Sequence, residues 1–189
     1  MPLIREAIVI TMDLAGTPHL APLGLIAEER NWIIAPFYPS RTLENLRAQP
    51  CAIVNLTDDA RIFAGCLTGR RDWPLTATRP GFPPRLSGAL SHWEMEVMDV
   101  REDAMRPRFV CRVAAQAVHG PFQGLNRAFA AVVEAAVLAS RLDMLPHQQI
   151  EAEFARLRVL VAKTGGPHEA EAFGWLETKV AAHGASTCR

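Results

Sequence analysis

The chain has 189 residues, 49% of them hydrophobic, enough for one sizeable domain or a domain with an appendage, and too apolar for wholesale disorder. Twenty Lys and Arg balance twenty Asp and Glu, which argues against a general nucleic-acid binder and its basic excess. No apolar run approaches the roughly 20 residues that span a bilayer, and no signal-peptide pattern follows Met1, so a soluble cytoplasmic protein is expected.

Arg5 to Met12 is a predicted strand, Asp13-Leu14-Ala15-Gly16-Thr17 a turn and His19 to Ala27 the returning strand of a hairpin. Trp32 to Pro36 is a third strand. Pro39-Ser40-Arg41-Thr42 then opens a short helix, Leu43 to Ala48, which Pro50 stops. Cys51 to Leu56 is a fourth strand, and Arg61 to Gly69 a short helix with Ile62, Phe63, Cys66 and Leu67 on one side. Between Arg70 and Leu90, Pro74, Pro80, Pro83 and Pro84 exclude a central strand or continuous helix, leaving a long ordered loop. Ser91 to Arg101 alternates Trp93, Met95 and Val97 against Glu94 and Glu96. Arg108 to His119 alternates Phe109, Cys111, Val113 and Ala115 against Arg112 and Gln116. These two segments read as antiparallel partners, each with one wet face. After Gly120-Pro121 the period becomes helical, from Leu125 to about Leu145-Pro146. A second helix carries Ile150, Phe154, Leu157, Leu160 and Val161 and closes at Gly165-Gly166. A third starts at Pro167 and runs to about His183, with Gly184 as its stop. The plan is α+β: a barrel-like body over 1–121, then a helical part over 122–189 packed on it as one structural unit.

The helix start at Ser40-Arg41-Thr42, with Asn45 one turn on, gathers backbone N–H groups, two hydroxyls and a guanidinium at one point. Two readings stand: phosphate capture, or plain capping by Ser or Thr with Glu44 in the first turn. The histidines lack metal spacing, so no metal site is expected. Cys51, Cys66, Cys111 and Cys188 form no CxxC pair and read as reduced thiols. No GxSxG elbow is present and no catalytic residue is identified. His92 and His119 flank strands that can face a pocket. Glu94 and Glu96 share a strand face, read as solvated rather than as a carboxylate pair. Arg127, in the first turn of the helix after Gly124-Leu125-Asn126, opposes the helix dipole and calls for a partner: an acidic side chain, within the chain or across a dimer, or an anionic ligand.

The order of parts, with Leu20-Ala21-Pro22-Leu23-Gly24 on the second strand and the Ser-Arg-Thr helix before the fourth, resembles the FMN-binding split barrel of flavin reductases and pyridoxamine-phosphate-oxidase-like proteins. More narrowly, Pro39-Ser40-Arg41-Thr42 and Gly124-Leu125-Asn126-Arg127-Ala128 resemble a family of this fold from archaea and methylotrophic bacteria, associated with tetrahydromethanopterin-linked one-carbon metabolism. The resemblance implies an antiparallel FMN-binding split β-barrel with a C-terminal helical part, a homodimer, and FMN near the subunit interface. It assigns Ser40, Arg41, Thr42 and Asn45 to the flavin phosphate and Pro22, Leu23 and Gly24 to the isoalloxazine ring, with Asn55 as a polar contact. It implies an oxidoreductase acting on a small molecule. The alternative is a non-catalytic flavin-binding or accessory dimeric protein.

Overall fold

The computed structural model describes residues 1–187; Cys188, one of the expected thiols, lies outside them. Cys51, Cys66 and Cys111 are free. The chain forms two compact units. One joins Met1–Thr57 to Trp73–Phe122, the other joins Asp58–Asp72 to the residues from Gln123 onward.

In the first unit, β1 (Ile4–Met12) and β2 (Pro18–Glu28) form the hairpin, its turn held by Asp13 Oδ1 accepting from the N–H groups of Ala15 and Thr17. β3 (Asn31–Ile34), β4 (Cys51–Leu56), β7 (Ser91–Arg101) and β8 (Arg108–Val118) complete a closed antiparallel barrel in the order β1-β2-β3-β8-β7-β4. Strand alternation sends Ala7 and Val9 of β1, Leu25 of β2, Ile34 of β3, Ala52 and Val54 of β4, Met95 of β7 and Phe109 and Cys111 of β8 into one core. The helix α1 (Arg41–Ala48) adds Leu43 and Leu46 to that core, each such side chain contributing about 1.5–3 kcal/mol of hydrophobic stabilisation. The proline-rich segment is a loop with a minimal two-stranded sheet, β5 (Leu75–Thr76) with β6 (Arg85–Leu86).

Two strand expectations need correction. Trp93, Met95 and Val97 keep the inward series, but Glu94 on the opposite face is buried as well, with Arg79 of the proline-rich loop against its carboxylate, so that face is not wet there. On β8 the inward series ends early: Ala115 is exposed. β3 pairs with β8 only from Phe109 to Cys111, so the rest of β8 is held by β7 alone.

The second unit is helical: α2 (Ala60–Leu67), α3 (Arg127–Ala139), α4 (His147–Thr164) and α5 (Pro167–Thr187). Segment 58–72, read within 1–121 from sequence, groups here because α2 packs on α3 and α5. Its core includes a T-shaped Phe63–Phe129 pair and a tilted Phe154–Phe173 pair. α5 starts at Pro167 but does not stop at Gly184. That glycine is inside the helix because the His147 ring occupies its side-chain space, 2.5 Å from where a Cβ would stand. α3 is shorter than expected, ending at Ala139 before a run of turns to Leu145.

Asn55, wholly buried on β4, ties the loop to the barrel. Its Nδ2 donates to the Ile8 carbonyl (3.1 Å) and its Oδ1 accepts the Leu86 N–H (2.8 Å). Asn55→Ala strands that N–H and is expected to lower unfolding stability by about 2–3 kcal/mol in urea titrations. A loss under about 0.5 kcal/mol would show the tie to be dispensable.

Candidate functional site

At the start of α1, Ser40 is the N-cap, with extended backbone, and its Oγ accepts the Leu43 N–H at 3.3 Å. The capping reading is therefore realised. The N–H of Glu44 closes the first helical bond on the Ser40 carbonyl. That leaves the N–H groups of Arg41 and Thr42 without an acceptor among the described residues, as the first helical turn requires. Arg41 is exposed and makes no ion pair or side-chain hydrogen bond among them. Two of the other expected phosphate residues point elsewhere. Thr42 is buried at 3% exposure, and buried Asn45 donates through Nδ2 to Thr11 Oγ1 at 3.0 Å. Asn45 thus fastens the helix to β1, and Gln49 does the same at its other end by donating to the Asp13 carbonyl. Free donors and a free cation remain at a rigidly held helix start, an arrangement that takes a phosphate dianion.

The barrel also has an open strand edge. β2 pairs with β1 from Pro18 to Ile26 but with β3 only from Ile26 to Glu28. The second edge of Pro18–Leu25 therefore has no strand partner among the described residues. Pro22, which lacks an N–H, is tolerated there for that reason. Leu23 packs against the barrel core. Gly24 sits where a Cβ would meet Ile4 Cγ2 at 2.8 Å and Glu6 Oε1 at 3.1 Å. α1 packs on both β1 and β2.

Asn55 is not part of this surface. Its amide is engaged inside the protein, one rung across the barrel from Pro22: Pro22, Ile8, Asn55, His92 and Ala117 stand opposite one another in register. The same rung carries a polar cluster. His92 is buried, with Nδ1 2.8 Å from Nε2 of exposed His119 and the two rings stacked at 10°. His92 Nε2 lies 3.8 Å from Glu94 Oε1, and Arg79 Nε 2.7 Å from Glu94 Oε2. Arg79 also pairs with Glu96, which holds Arg112. The histidines were singled out in sequence only as strand-flanking residues. Their meeting was legible in the pairing of 91–101 with 108–119, whereas the surroundings of Glu94 depend on the loop that brings Arg79 to it, which has no sequence signature. Burial pushes the His92 imidazole below its ordinary range, with Glu94 opposing and Arg85 adding to the shift. Burial, Arg85 and His92 push His119 down too.

Arg127 follows the N-cap Asn126, whose Oδ1 accepts from Ala128 and Phe129 and whose Nδ2 donates to the Thr164 carbonyl. The expected acidic partner for Arg127 is not found among the described residues, where it makes no ion pair. The same residues hold no group of three His, Cys, Asp or Glu placed to bind a metal ion.

This six-stranded antiparallel barrel is the fold of the FMN-binding split barrels, and solved structures of that class superpose on this one. An FMN-binding protein from Thermus thermophilus, with bound p-hydroxybenzaldehyde, matches at TM-score 0.53 and 16% identity, over 66% of this chain and 77% of that one. The styrene monooxygenase flavin reductase of Pseudomonas putida S12 matches at TM-score 0.51 and 18% identity, over 61% and 79%. The chain belongs to the DUF447 family of proteins of unknown function, whose N-terminal domain matches residues 5–120 and whose second model matches 126–178. An FMN-bound DUF447 protein from Methanosarcina mazei is similar over nearly the full length, with TM-score 0.82, 21% identity and coverage of 95% and 96%. No protein of curated function matches the sequence.

The two depressed imidazoles give a signed pH effect. Unfolded histidine takes its proton near pH ~6.5, the folded pair only below that, so the unfolded chain binds more protons as pH falls through this window. Stability is expected to be full above about pH 7 and to fall between there and about pH 5. Urea midpoints at pH 7.5 and 5.5 measure it, and His92→Gln is expected to shrink the difference. Equal midpoints in the parent protein would contradict the assignment.

Proposed function

We propose that this protein is an FMN-binding flavoprotein and an oxidoreductase. The observation that carries the reading is the unpaired β2 edge together with the free donors and free Arg41 of the α1 start, in a family with an FMN-bound member of nearly equal length. In it the Arg41 and Thr42 N–H groups, the Ser40 hydroxyl and the Arg41 guanidinium hold the flavin phosphate. The Pro22-Leu23-Gly24 backbone lies along the isoalloxazine, and Gly24 makes room for the Ile4 and Glu6 side chains of β1. Asn45 and the Thr42 side chain brace the helix from within, and Asn55 acts only through the loop it ties down. Bound there, flavin supplies hydride and single-electron transfer; the chain supplies position and charge.

The finer reading places the substrate in tetrahydromethanopterin-linked one-carbon metabolism, in the cytoplasm, and rests on the motif resemblance. Among the described residues no helix is long and apolar enough to cross a membrane, which fits that location. A homodimer with flavin near its interface is part of the proposal. It is supported by the unpaired outer half of β8 and by exposed Val118 and Phe122 near it. The second reading, a flavin-binding or accessory dimer without catalysis, is favoured by one observation. Pro22, Leu23, Gly24, Ser40, Arg41, Thr42 and Asn45 include no side chain that exchanges a proton near neutral pH. Reduction of bound FMN by NADH or NADPH separates the two: rapid reduction supports the enzyme, none the carrier.

Purified protein is expected to be yellow, or to quench FMN fluorescence on addition. Arg41→Ala is expected to weaken FMN binding by about 1.5–3 kcal/mol, the scale of a charge-assisted hydrogen bond. Unchanged affinity in fluorescence titration would move the phosphate elsewhere. Val118→Glu is expected to convert the dimer to monomer in sedimentation experiments, and an unaltered dimer would remove the β8 edge from the interface.

A further inference from the structure

His92 and His119 meet nitrogen to nitrogen. His92 lies on β7 opposite Ala117 of β8, and His119 is the diagonal neighbour just beyond the end of that strand. His92 Nδ1 stands 2.8 Å from His119 Nε2, so one hydrogen lies between the two nitrogens. A count of hydrogens shows what this bond tolerates. The neutral pair carries one hydrogen per ring. One of them lies in the bond, and the other sits on an outer nitrogen, His92 Nε2 or His119 Nδ1. A first added proton fills the remaining outer nitrogen and leaves the bond in place. A second has to go to the inner nitrogen that was accepting. Both inner nitrogens are then donors, with no acceptor between them, and the two cationic rings repel.

The two rings differ in where they can go. His92 is buried, and its Nε2 lies 3.8 Å from Glu94 Oε1, a carboxylate that favours the charged ring where it stands. His119 is exposed, so it is the ring that can leave. The other charges around the pair are engaged with one another or oppose protonation. Arg79 holds Glu94 and Glu96, and Arg112 holds Glu96. Arg85 acts against a proton on either imidazole. What His119 would leave is the end of β8. β3 pairs with β8 only from Phe109 to Cys111, so from Arg112 to Val118 the strand is held by β7 alone. Past Val118, the N–H groups of His119 (2.7 Å) and Gly120 (3.1 Å) share one acceptor, the Leu90 carbonyl. The bond between the imidazoles adds a side-chain tie to this thinly held stretch.

We infer that the His92–His119 pair is a proton-operated latch on the end of β8, closed with no added proton or with one, and opened by a second that sends His119 into solvent. Opening releases the His119 and Gly120 N–H groups from the Leu90 carbonyl and bares the His92 ring, while the barrel core stays closed. Exposed Val118, next to His119, lies on the strand end that the latch governs. The latch belongs to β7 and β8 and works whether or not flavin is bound at the α1 start.

Nitrogen NMR of the imidazole rings across a pH series tests it on the full chain. Two proton steps are expected for the pair, about one pH unit or more apart, a roughly tenfold difference in proton affinity. The hydrogen between the rings is expected to survive the first step and to be lost at the second. Amide exchange at His119 and Gly120 is expected to quicken about tenfold or more at that second step, with the amides of buried Val9 and Ile53 still protected. His119→Gln is the control. An amide side chain offers His92 either an oxygen or an N–H, so it stays bonded to the neutral and to the charged imidazole alike. That variant is expected to titrate His92 in one step and to keep Gly120 protected throughout. Rings unbonded at neutral pH, or a bond lost as the first proton arrives, overturn the inference. So does Gly120 exchange that quickens equally in the variant. Loss of Val9 and Ile53 protection before or together with that of Gly120 overturns it too, since the pair then releases nothing of its own.

Discussion

Strand β3 sets the chemistry of the barrel by being short. Its residues Asn31–Ile34 hydrogen-bond to β2 on one side and β8 on the other, and they suffice to close the ring. Each neighbour is an 11-residue strand. Most of both is therefore left with an edge that nothing in the ring can pair. Unpaired edges invite aggregation, and proteins keep them only where they are blunted or used. Here Pro22 and Gly24 blunt the β2 edge: one lacks a donor, the other a side chain. The β8 edge is treated differently, with alanines and then Val118. One edge carries a proline and a glycine, the other alanines and an exposed valine. If β3 ran on for as many residues as its neighbours, neither would exist.

The interior explains why these edges can be left open. Leu43 and Leu46 of α1 reach the same core as the strands, and Asn45 and Gln49 bond to the β1–β2 hairpin. The helix is thus part of the barrel's packing, and its N-terminus is immobile for reasons unrelated to any ligand. A phosphate site built on it needs no ordering when the ligand arrives, which removes an entropic cost that a free loop would bear. That division of labour also accounts for the residues in the Ser40–Asn45 stretch. Positions facing the core or the hairpin are consumed structurally, and only the outward Arg41 and the backbone of the first turn are left for binding.

Much of this was legible from the sequence, and what was not has physical causes. Strands Cys51–Leu56 and Ser91–Arg101 were readable to the residue because Pro50 and a polar–apolar alternation bound them. The α1 start was readable because capping chemistry is local. Glu94 keeps the face that alternation assigns it, and its burial depends on Arg79 of the proline-rich loop, whose place strand periodicity does not encode. Gly184 was misread because a glycine that ends a helix and one that admits a neighbouring ring look the same until His147 is placed. Among the candidate site residues, Asn45 and Asn55 were picked for side chains able to touch a ligand. Burial gave those amides internal partners, Thr11 in one case and Ile8 with Leu86 in the other. Pattern reading finds polar groups; only packing tells which of them are already taken.

The rung from Pro22 through Ile8 and Asn55 to His92 and Ala117 links these themes. Adjacent strands of a sheet stand about 4.8 Å apart, so one line of backbone pairing carries the open edge, the loop anchor and the histidine pair in turn. A substitution at Asn55 releases Leu86, and with it the neighbouring Arg85, while leaving the β1–β2 pairing beside Pro22 intact. The disturbance runs through the Asn55 bonds to Ile8 on β1 and Leu86 on β6, while the pairing of β1 with β2 and of β7 with β8 is between backbones and does not depend on residue type.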